Sequence, residues 1–331
     1  MSERIVVIGG GTGLFTALSG LKRHDVQLTA VVSMADSGGS SGRLRDEFGL
    51  LPAGDVRRCL VALAADDSMN LLLRQLFEYR FDRGGDLAGH NFGNLLLTAL
   101  ANLTGGMDHA IVEAARLLRV EGTVLPVTLT DTNLYAVLKD DRIIEGEAAI
   151  DTRQDSVPID HIYLQPVAQA TPDACAAIRQ ADMVVIGPGD LYTSLVPNLL
   201  VDGIREALSD SPATVVFVCN VMTKHGETDG FAASDFLRVI TRYLGDGVLD
   251  TALLSYYESL PRVLLERYRA SRSAPVSIDP EACSEYAPRL MVRPLASAGT
   301  LVRHDSGRLA IALLDVLRET RVAAESVTGI A

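Results

Sequence analysis

The sequence predicts an α/β protein built on an open, mostly parallel sheet of Rossmann-like type, with helices on both faces and an inserted antiparallel β segment. Three observations predict it. Apolar runs of strand length recur, and each is followed by a glycine-rich or polar loop. The first of them, RIVVIGGGTG at residues 4–13, passes straight into a stretch of helical period, LFTALSGLK. Between about residues 121 and 165 the texture changes to β-branched runs, VLPVTLTDTNLYAVLKDDRIIEGEAAI. With 331 residues, 48% of them hydrophobic and 22% charged, the chain suits one large α/β domain over residues 1–331, the β-rich excursion at 121–165 lying within it.

The apolar run from Ile5 to Ile8 has the length of a strand buried in a parallel sheet. A helix that starts directly after Gly9, Gly10, Gly11, Thr12 and Gly13 leaves its first backbone N–H groups facing whatever lies above the turn, and a phosphate is the natural occupant. The glycines do not spell G-x-G-x-x-G, because Leu14 holds the sixth position, and no G-x-x-x-x-G-K-[ST] follows. A turn that only packs a helix closely on a strand would use the same small residues.

Composition narrows the class. A formal net charge of -12 argues against a general nucleic-acid binder, which needs clustered Lys and Arg. No apolar run reaches the length of a membrane span and the N-terminus enters a strand directly, so a cytoplasmic location is expected. Cys59, Cys175, Cys219 and Cys283 are scattered without metal spacing and read as buried reduced thiols.

Residues 27–33, QLTAVVS, form the second strand, which opens into MADSGGSSGRLRDEFG. Asp36 stands where doubly wound folds often place an acid for ribose hydroxyls. After Ser37, the run Gly38, Gly39, Ser40, Ser41, Gly42 can expose consecutive N–H groups as an anion nest, with Arg43 and Arg45 adding charge-assisted bonds. A flexible surface loop would also be rich in glycine and serine. PAGDVRRCL, at residues 52–60, reads as a helix start with Asp55 near its cap and Arg57 and Arg58 inside. SMNLLLRQLFEYRF continues as a helix whose apolar spacing makes it core-facing.

GHNFGNLLL, at residues 89–97, is another glycine-flanked helix opening. His90, Asn91 and Asn94 are spaced to project toward one site, either as ligand contacts or as caps. No H-x-x-x-H or H-x-H accompanies His90, which argues against zinc. In the β-rich excursion the Asp140–Asp141 pair suits a hairpin turn, and the segment reads as a cover or an oligomer surface; a homo-oligomer is expected. The chain then returns to α/β with a helix near residues 173–180 and the strand ADMVVIG.

Next comes GPGDLYTSLVPNLL, where Gly187, Pro188 and Gly189 turn the chain and Asp190, Tyr192, Thr193 and Ser194 precede a helix carrying Asn198. The strand ATVVFVCN ends in Asn220 and the polar loop VMTKHGETDGF, with Thr223, Lys224, His225 and Asp229, and TALLS ends in Tyr256 and Tyr257. Loops at the carboxyl ends of parallel strands share one edge of the sheet, so those at Gly9, Asp36, Gly187 and Asn220 should converge. Their inventory suits a nucleotide diphosphate. Glycine N–H groups and Arg43 would meet phosphates, Asp36 or Asn220 the ribose, and Tyr192 or a later tyrosine would stack on a base. Asp36, Asp55, Asp190 and Asp229 could hold Mg²⁺ through oxygens and water; Asp36 and Asp55 are the metal candidates, with no cofactor required and Mg²⁺ expected only alongside bound nucleotide.

VVIGGGTGL, DSGGSSGRLR, LPAGDVRRCLVALA, LAGHNFGNLLL, VIGPGDLYTSLVPNLLV, VCNVMTKHGETDGF and VRHDSGRLA follow one another in order over roughly residues 5–317. This series resembles the gluconeogenesis-factor (YvcK-like) branch of the CofD-like superfamily. The resemblance implies a nucleotide-sugar ligand of the UDP-N-acetylglucosamine type and a role in carbon use, cell shape and envelope synthesis. It also implies a contact with the sugar nucleotide at Tyr268 in LERYRA and at Arg303 in VRHD. The relative on the other branch, 2-phospho-L-lactate transferase, implies an alternative, a Mg²⁺-dependent nucleotide-using phosphoester transferase. GGGTGL stands where that transferase would begin with a GGTGTPK-like stretch, which favours the regulatory branch, and Arg58 stands where an asparagine is expected in G-D-x-R-N-C. The expectation is a regulatory protein that senses a nucleotide sugar and signals to a protein partner in envelope or carbon metabolism. No nucleophile and base are paired by spacing, and the missing G-x-G-x-x-G disfavours an NAD-dependent oxidoreductase.

Overall fold

In the computed structural model, which describes residues 2–257 and 260–328, the first strand and helix fall where the periodicity put them. Strand β1 is Glu3–Gly9 and helix α1 is Gly11–Leu21. Ile5, Val6, Val7 and Ile8 are all buried, because this strand is covered on both faces, and each such side chain contributes roughly 1.5–3 kcal/mol of transfer free energy. Leu14, Ala17, Leu18 and Leu21 recur at helical spacing, and all are buried. The chain continues through β2 (Val26–Val32), α2 (Gly39–Phe48), α3 (Gly54–Leu63), α4 (Ser68–Glu78), α5 (Phe92–Thr104), α6 (Met107–Leu117) and β3 (Thr123–Pro126).

A small excursion follows: β4 (Asn133–Leu138), β5 (Ile143–Glu145), α7 (Glu147–Asp151) and β6 (Ile159–Gln165). Then come α8 (Pro172–Gln180), β7 (Met183–Ile186), α9 (Val196–Leu199), α10 (Ile204–Ser209), β8 (Thr214–Val218), α11 (Ala233–Leu244) and β9 (Thr251–Ser255). The last elements are α12 (Arg262–Ala270), α13 (Pro280–Cys283), β10 (Arg289–Arg293), the hairpin of β11 (Ala296–Ala298) with β12 (Val302–His304), and α14 (Ser306–Thr328).

Seven strands form one parallel sheet in the order β10-β9-β8-β7-β1-β2-β3, with helices around it. From β1 the chain steps outward to β2 and β3, then returns to the other side of β1 at β7 and steps outward again. The direction reverses between β1 and β7. An open parallel sheet has its crevice outside the carboxyl ends of the strands at such a reversal.

The β-rich stretch divides in two. Residues 123–126 pair parallel with β2 as the edge of the main sheet, and the antiparallel excursion proper is the sheet β5-β4-β6. Along β4 the residues Leu134, Ala136 and Leu138 face inward in strict alternation. The hairpin turn falls at Asp140–Asp141, with Asp141 at φ 66.

One expectation is corrected. Helix α4 is core-facing only along Leu73 and Phe77, whereas Leu71, Leu72 and Leu76 are exposed. Three consecutive leucines sweep about 200° round a helix at 100° per residue, so no single contact face can cover them all. Cys59, Cys219 and Cys283 are buried, Cys175 is partly so, and all four are free thiols. Among the described residues no helix is long and apolar enough to cross a membrane.

Candidate functional site

The loops expected to converge do meet, at the carboxyl edge of the sheet. A cavity of about 620 Å³ is walled by the turn after β1 (Gly10 to Gly13), the loop after β2 (Asp36 and Gly38 to Ser41), the start of α3, helix α7 and the loop after β7. A second arm of about 320 Å³ shares Thr12, Gly13, Gly189, Asp190 and Arg303 with the first, and it reaches the loop after β8 at Asn220 and Thr223. Tyr268 and His304 close that arm.

Three helices begin in the wall of the larger arm. The residues before α1, α2 and α3 are Gly10, Gly38 and Ala53, and none makes a side-chain cap. Carboxylates from elsewhere reach two of these starts, Asp55 accepting from the Gly11 N–H and Asp36 from the Gly38 N–H at 2.9 Å, and each helix adds roughly half a positive charge at that end. Glycine is required here by close approach. A Cβ on Gly13 would overlap the Pro188 carbonyl, and one on Gly10 would overlap the Asp55 carboxylate, so the turns after β1 and β7 pack against each other almost backbone to backbone. Gly11 also has φ +65, which other residues rarely adopt.

Charge of both signs lines the larger arm. Arg57, Arg58 and Arg80 belong to it. Burial and the two neighbouring guanidiniums lower Arg57 to about 10. Arg57 is nevertheless fixed, donating to Asn94 Oδ1 at 2.9 Å and to the Phe77 carbonyl at 3.2 Å. Asp36, Asp55 and Glu147 line the same cavity, Asp55 lying 3.7 Å from the Arg58 guanidinium on its own helix. Burial and the charge of Asp36 raise Asp55 to about 6, while burial followed by Asp36 and Asp151 raises Glu147 to about 8. Glu147 is therefore mostly protonated at neutral pH, which removes one negative charge from the cleft.

Asp151, Asp190 and Glu227 bring carboxylate oxygens within 4.8 Å of one another, a spacing a metal could use. Lys224 already fills that place. Its ammonium pairs with Asp151 and lies 2.8 Å from both Asp190 and Glu227, and these carboxylates hold its pKa above the usual lysine range. Glu227 also accepts from the Tyr192 N–H at 3.3 Å and the Thr193 hydroxyl at 3.2 Å, so the cluster ties the loops after β7 and β8 to the excursion.

The expected residues separate into two groups. Gly10, Gly11, Thr12, Gly13, Asp36, Gly38, Gly39, Ser40, Asp55, Arg57, Asn94, Pro188, Gly189, Asn220, Thr223, Tyr268 and Arg303 line one arm or both. The others do not. Arg43 is corrected: it turns away along α2 and donates to the Ala88 carbonyl at 3.1 Å. Tyr192 is corrected too, since it is only 3% exposed and cannot stack on a ligand.

Asn91 is the cap of α5, accepting from the Asn94 N–H at 3.1 Å, and His90 meets Ser40 Oγ at 3.3 Å. Both support the wall from behind. Ser37 accepts from the Ala148 N–H at 3.0 Å and so anchors α7. Asn198 is fully buried and donates to the Ser194 carbonyl at 2.8 Å, and Gly187 turns the chain at φ +85. Asp229 accepts from His225 Nδ1 and from the Gly226 N–H, both at 2.8 Å, which shapes the loop, and it lines neither arm.

Sequence reasoning missed Glu147 and Asp151, which sit in an ordinary acidic stretch and reach the cleft only because the excursion folds back over it. It also missed Arg80 and His304, which carry no local signal. Among the described residues, the cavities at the opposite edge of the sheet lie at the amino ends of the strands. Six of their charged residues form the pairs Arg289 with Glu319, Arg4 with Asp182 and Arg321 with Glu3.

Comparison with known proteins shows the family and the fold. The family model described as 2-phospho-L-lactate transferase CofD matches residues 5–296. The gluconeogenesis factor of Bacillus subtilis is 39% identical over 318 residues, covering 96% of this chain and 98% of its own length. That of Halalkalibacterium halodurans is 44% identical over 278 residues, 84% of each chain. A crystal structure of a Bacillus halodurans protein superposes with a TM-score of 0.90 at 40% identity, covering 95% of this chain and all of that one.

Proposed function

Because the chain belongs to the CofD family, among proteins named gluconeogenesis factors, we propose that it is a regulatory protein that binds a nucleotide sugar of the UDP-N-acetylglucosamine type. One observation carries this reading: the starts of α1, α2 and α3 open into one cleft at the reversal point of the sheet, which Arg57, Arg58, Arg80 and Arg303 also line. Backbone N–H groups and guanidiniums arranged in this way recognise a pyrophosphate. Tyr268 lines the smaller arm, where it can stack on a base.

Bound nucleotide would bring Mg²⁺ with it. Asp36 and Asp55 would hold that ion: the repulsion that raises Asp55 is the kind a dication relieves, and two carboxylates are hard oxygen donors of the right class. The ion would neutralise phosphate charge there. In this reading the protein works in the cytoplasm as a homo-oligomer, and it passes the occupancy of the cleft to a protein partner in envelope synthesis or carbon metabolism, affecting cell shape. Helix α7 is suited to report occupancy, since Glu147 and Asp151 reach the cleft from an excursion whose other face is outside.

A second reading has its own support. The matching family model is described as a transferase, and the Asp36–Asp55 pair could orient a metal-bound phosphate for transfer. Incubation of purified protein with UDP-N-acetylglucosamine and Mg²⁺, followed for UMP and UDP, separates the two. Stoichiometric, reversible binding without product supports the regulator, and sustained release of either nucleotide overturns it in favour of the transferase.

A further inference from the structure

The Lys224 ammonium sits where the two arms of the cleft meet: Lys224 lines the smaller arm, Asp151 the larger, and Asp190 both. The carboxylates around it come from three separate elements, Asp151 from α7, Asp190 from the loop after β7 and Glu227 from the loop after β8. Lys224 Nζ donates to Asp151 and to Asp190 Oδ2, the latter at 2.8 Å, and Glu227 Oε1 also lies 2.8 Å away. The carboxylate oxygens are within 4.8 Å of one another. An ion held roughly 2.3–2.6 Å from each oxygen would span oxygens up to about 5 Å apart, so this is an oxygen cage of the size a hard dication takes, with a lysine at its centre.

The loop has its shape without that side chain. The Lys224 N–H donates to Thr228 Oγ1 at 2.9 Å, the Lys224 carbonyl accepts from the Thr228 N–H at 2.8 Å, and Arg153 Nη1 donates to the Gly226 carbonyl at 2.8 Å. Helix α7 has a separate anchor at Ser37. What the ammonium adds is charge. Without it, three carboxylates would face one another across the junction of the arms, one of them, Glu227, fully buried.

Resting on the reading of the cleft as a diphosphate site, we propose that Lys224 is a positioning residue that stands in for a divalent cation, neutralising the Asp151–Asp190–Glu227 cage so that a diphosphate can lie across the junction. A tethered ammonium cannot dissociate, so the junction is kept neutralised whatever the metal supply. Deleting the ammonium should make diphosphate binding depend on a dication in the cage.

Lys224→Ala in the full chain makes room for a hydrated ion. Manganese titration without nucleotide, read from the electron paramagnetic resonance of free Mn²⁺, is expected to count about one more bound ion per chain in the variant than in the unaltered protein. Adding Asp151→Asn should abolish that extra ion. By calorimetry with UDP in EDTA, the variant should bind at least about tenfold more weakly than the unaltered chain, and in millimolar Mn²⁺ to within about threefold of it. Comparing the two proteins under each condition cancels any ion that nucleotide brings to Asp36 and Asp55. Equal Mn²⁺ counts or equal UDP affinities in EDTA overturn the proposal. So does a loss that Mn²⁺ leaves unrestored, which is what a lysine with only a structural role would give. Failure of the unaltered chain to bind UDP under either condition overturns the diphosphate reading, and the Mn²⁺ count then decides by itself whether Lys224 stands in a cation's place.

Discussion

Arg303 is the side chain through which the two arms of the cleft are most directly joined, since it lines both and is exposed. Arg303→Ala is expected to weaken UDP-N-acetylglucosamine binding by about 1.5–3 kcal/mol, the range for a charge-assisted bond, while ligand-free stability stays within about 0.5 kcal/mol. Arg43→Ala is the matching control: its guanidinium bonds a carbonyl outside the cavity, so affinity measured by calorimetry should not change. Glu147 supplies a pH dependence. Its carboxyl is raised from 4.5 to about 8, so the proton that keeps it neutral is lost as pH climbs through about 8, and a new negative charge then faces the phosphates. Affinity should fall between neutral pH and pH about 9, and Glu147→Gln should flatten that fall. The same shift bears on stability. An acid whose folded pKa is raised penalises the fold progressively from its unfolded pKa upward, fully so once pH exceeds the folded value. Glu147→Gln should therefore melt at a higher temperature than the unaltered protein above pH about 8, and at the same temperature below pH about 4.

At the scale of elements, the turn after β1 and the turn after β7 constrain each other. Gly13→Ala would drive a methyl group into the Pro188 carbonyl, and urea unfolding should show a loss of about 1–3 kcal/mol or more. Helix α4 behaves in the opposite way: Leu72→Gln should leave stability within about 0.5 kcal/mol, because Leu72 already faces solvent in the single chain. A much larger loss would show that this face is covered in the assembled protein. These two elements also mark what a sequence can convey. The strands were legible because parallel strands buried on both faces must be continuous apolar runs, and the glycine turns because only glycine permits their close approach. Helix α4 was misjudged because an apolar count does not say which face has a neighbour. The direction of Arg43 depends on a carbonyl 45 positions away, and the burial of Tyr192 on a turn that tucks it beneath the loop, so neither could be read locally.

For the whole molecule, position follows from strand order. Because β1 lies between β2 and β7, segments from the beginning, middle and end of the chain come to one edge: Gly11, Asp36, Gly189, Asn220 and Arg303. That convergence was legible from the alternation of strands and loops, whereas the contribution of the excursion through α7 was not, because it depends on how a second sheet docks on the first. The central claim is that these segments grip one pyrophosphate. A crystal structure of the protein with UDP-N-acetylglucosamine tests it most directly. The account predicts phosphate oxygens against the first N–H groups of α1 and α2, with Arg303 bridging toward the base in the arm beside Tyr268. Nucleotide bound instead at the amino ends of β8, β9 and β10, near the Arg289–Glu319 pair, would contradict it.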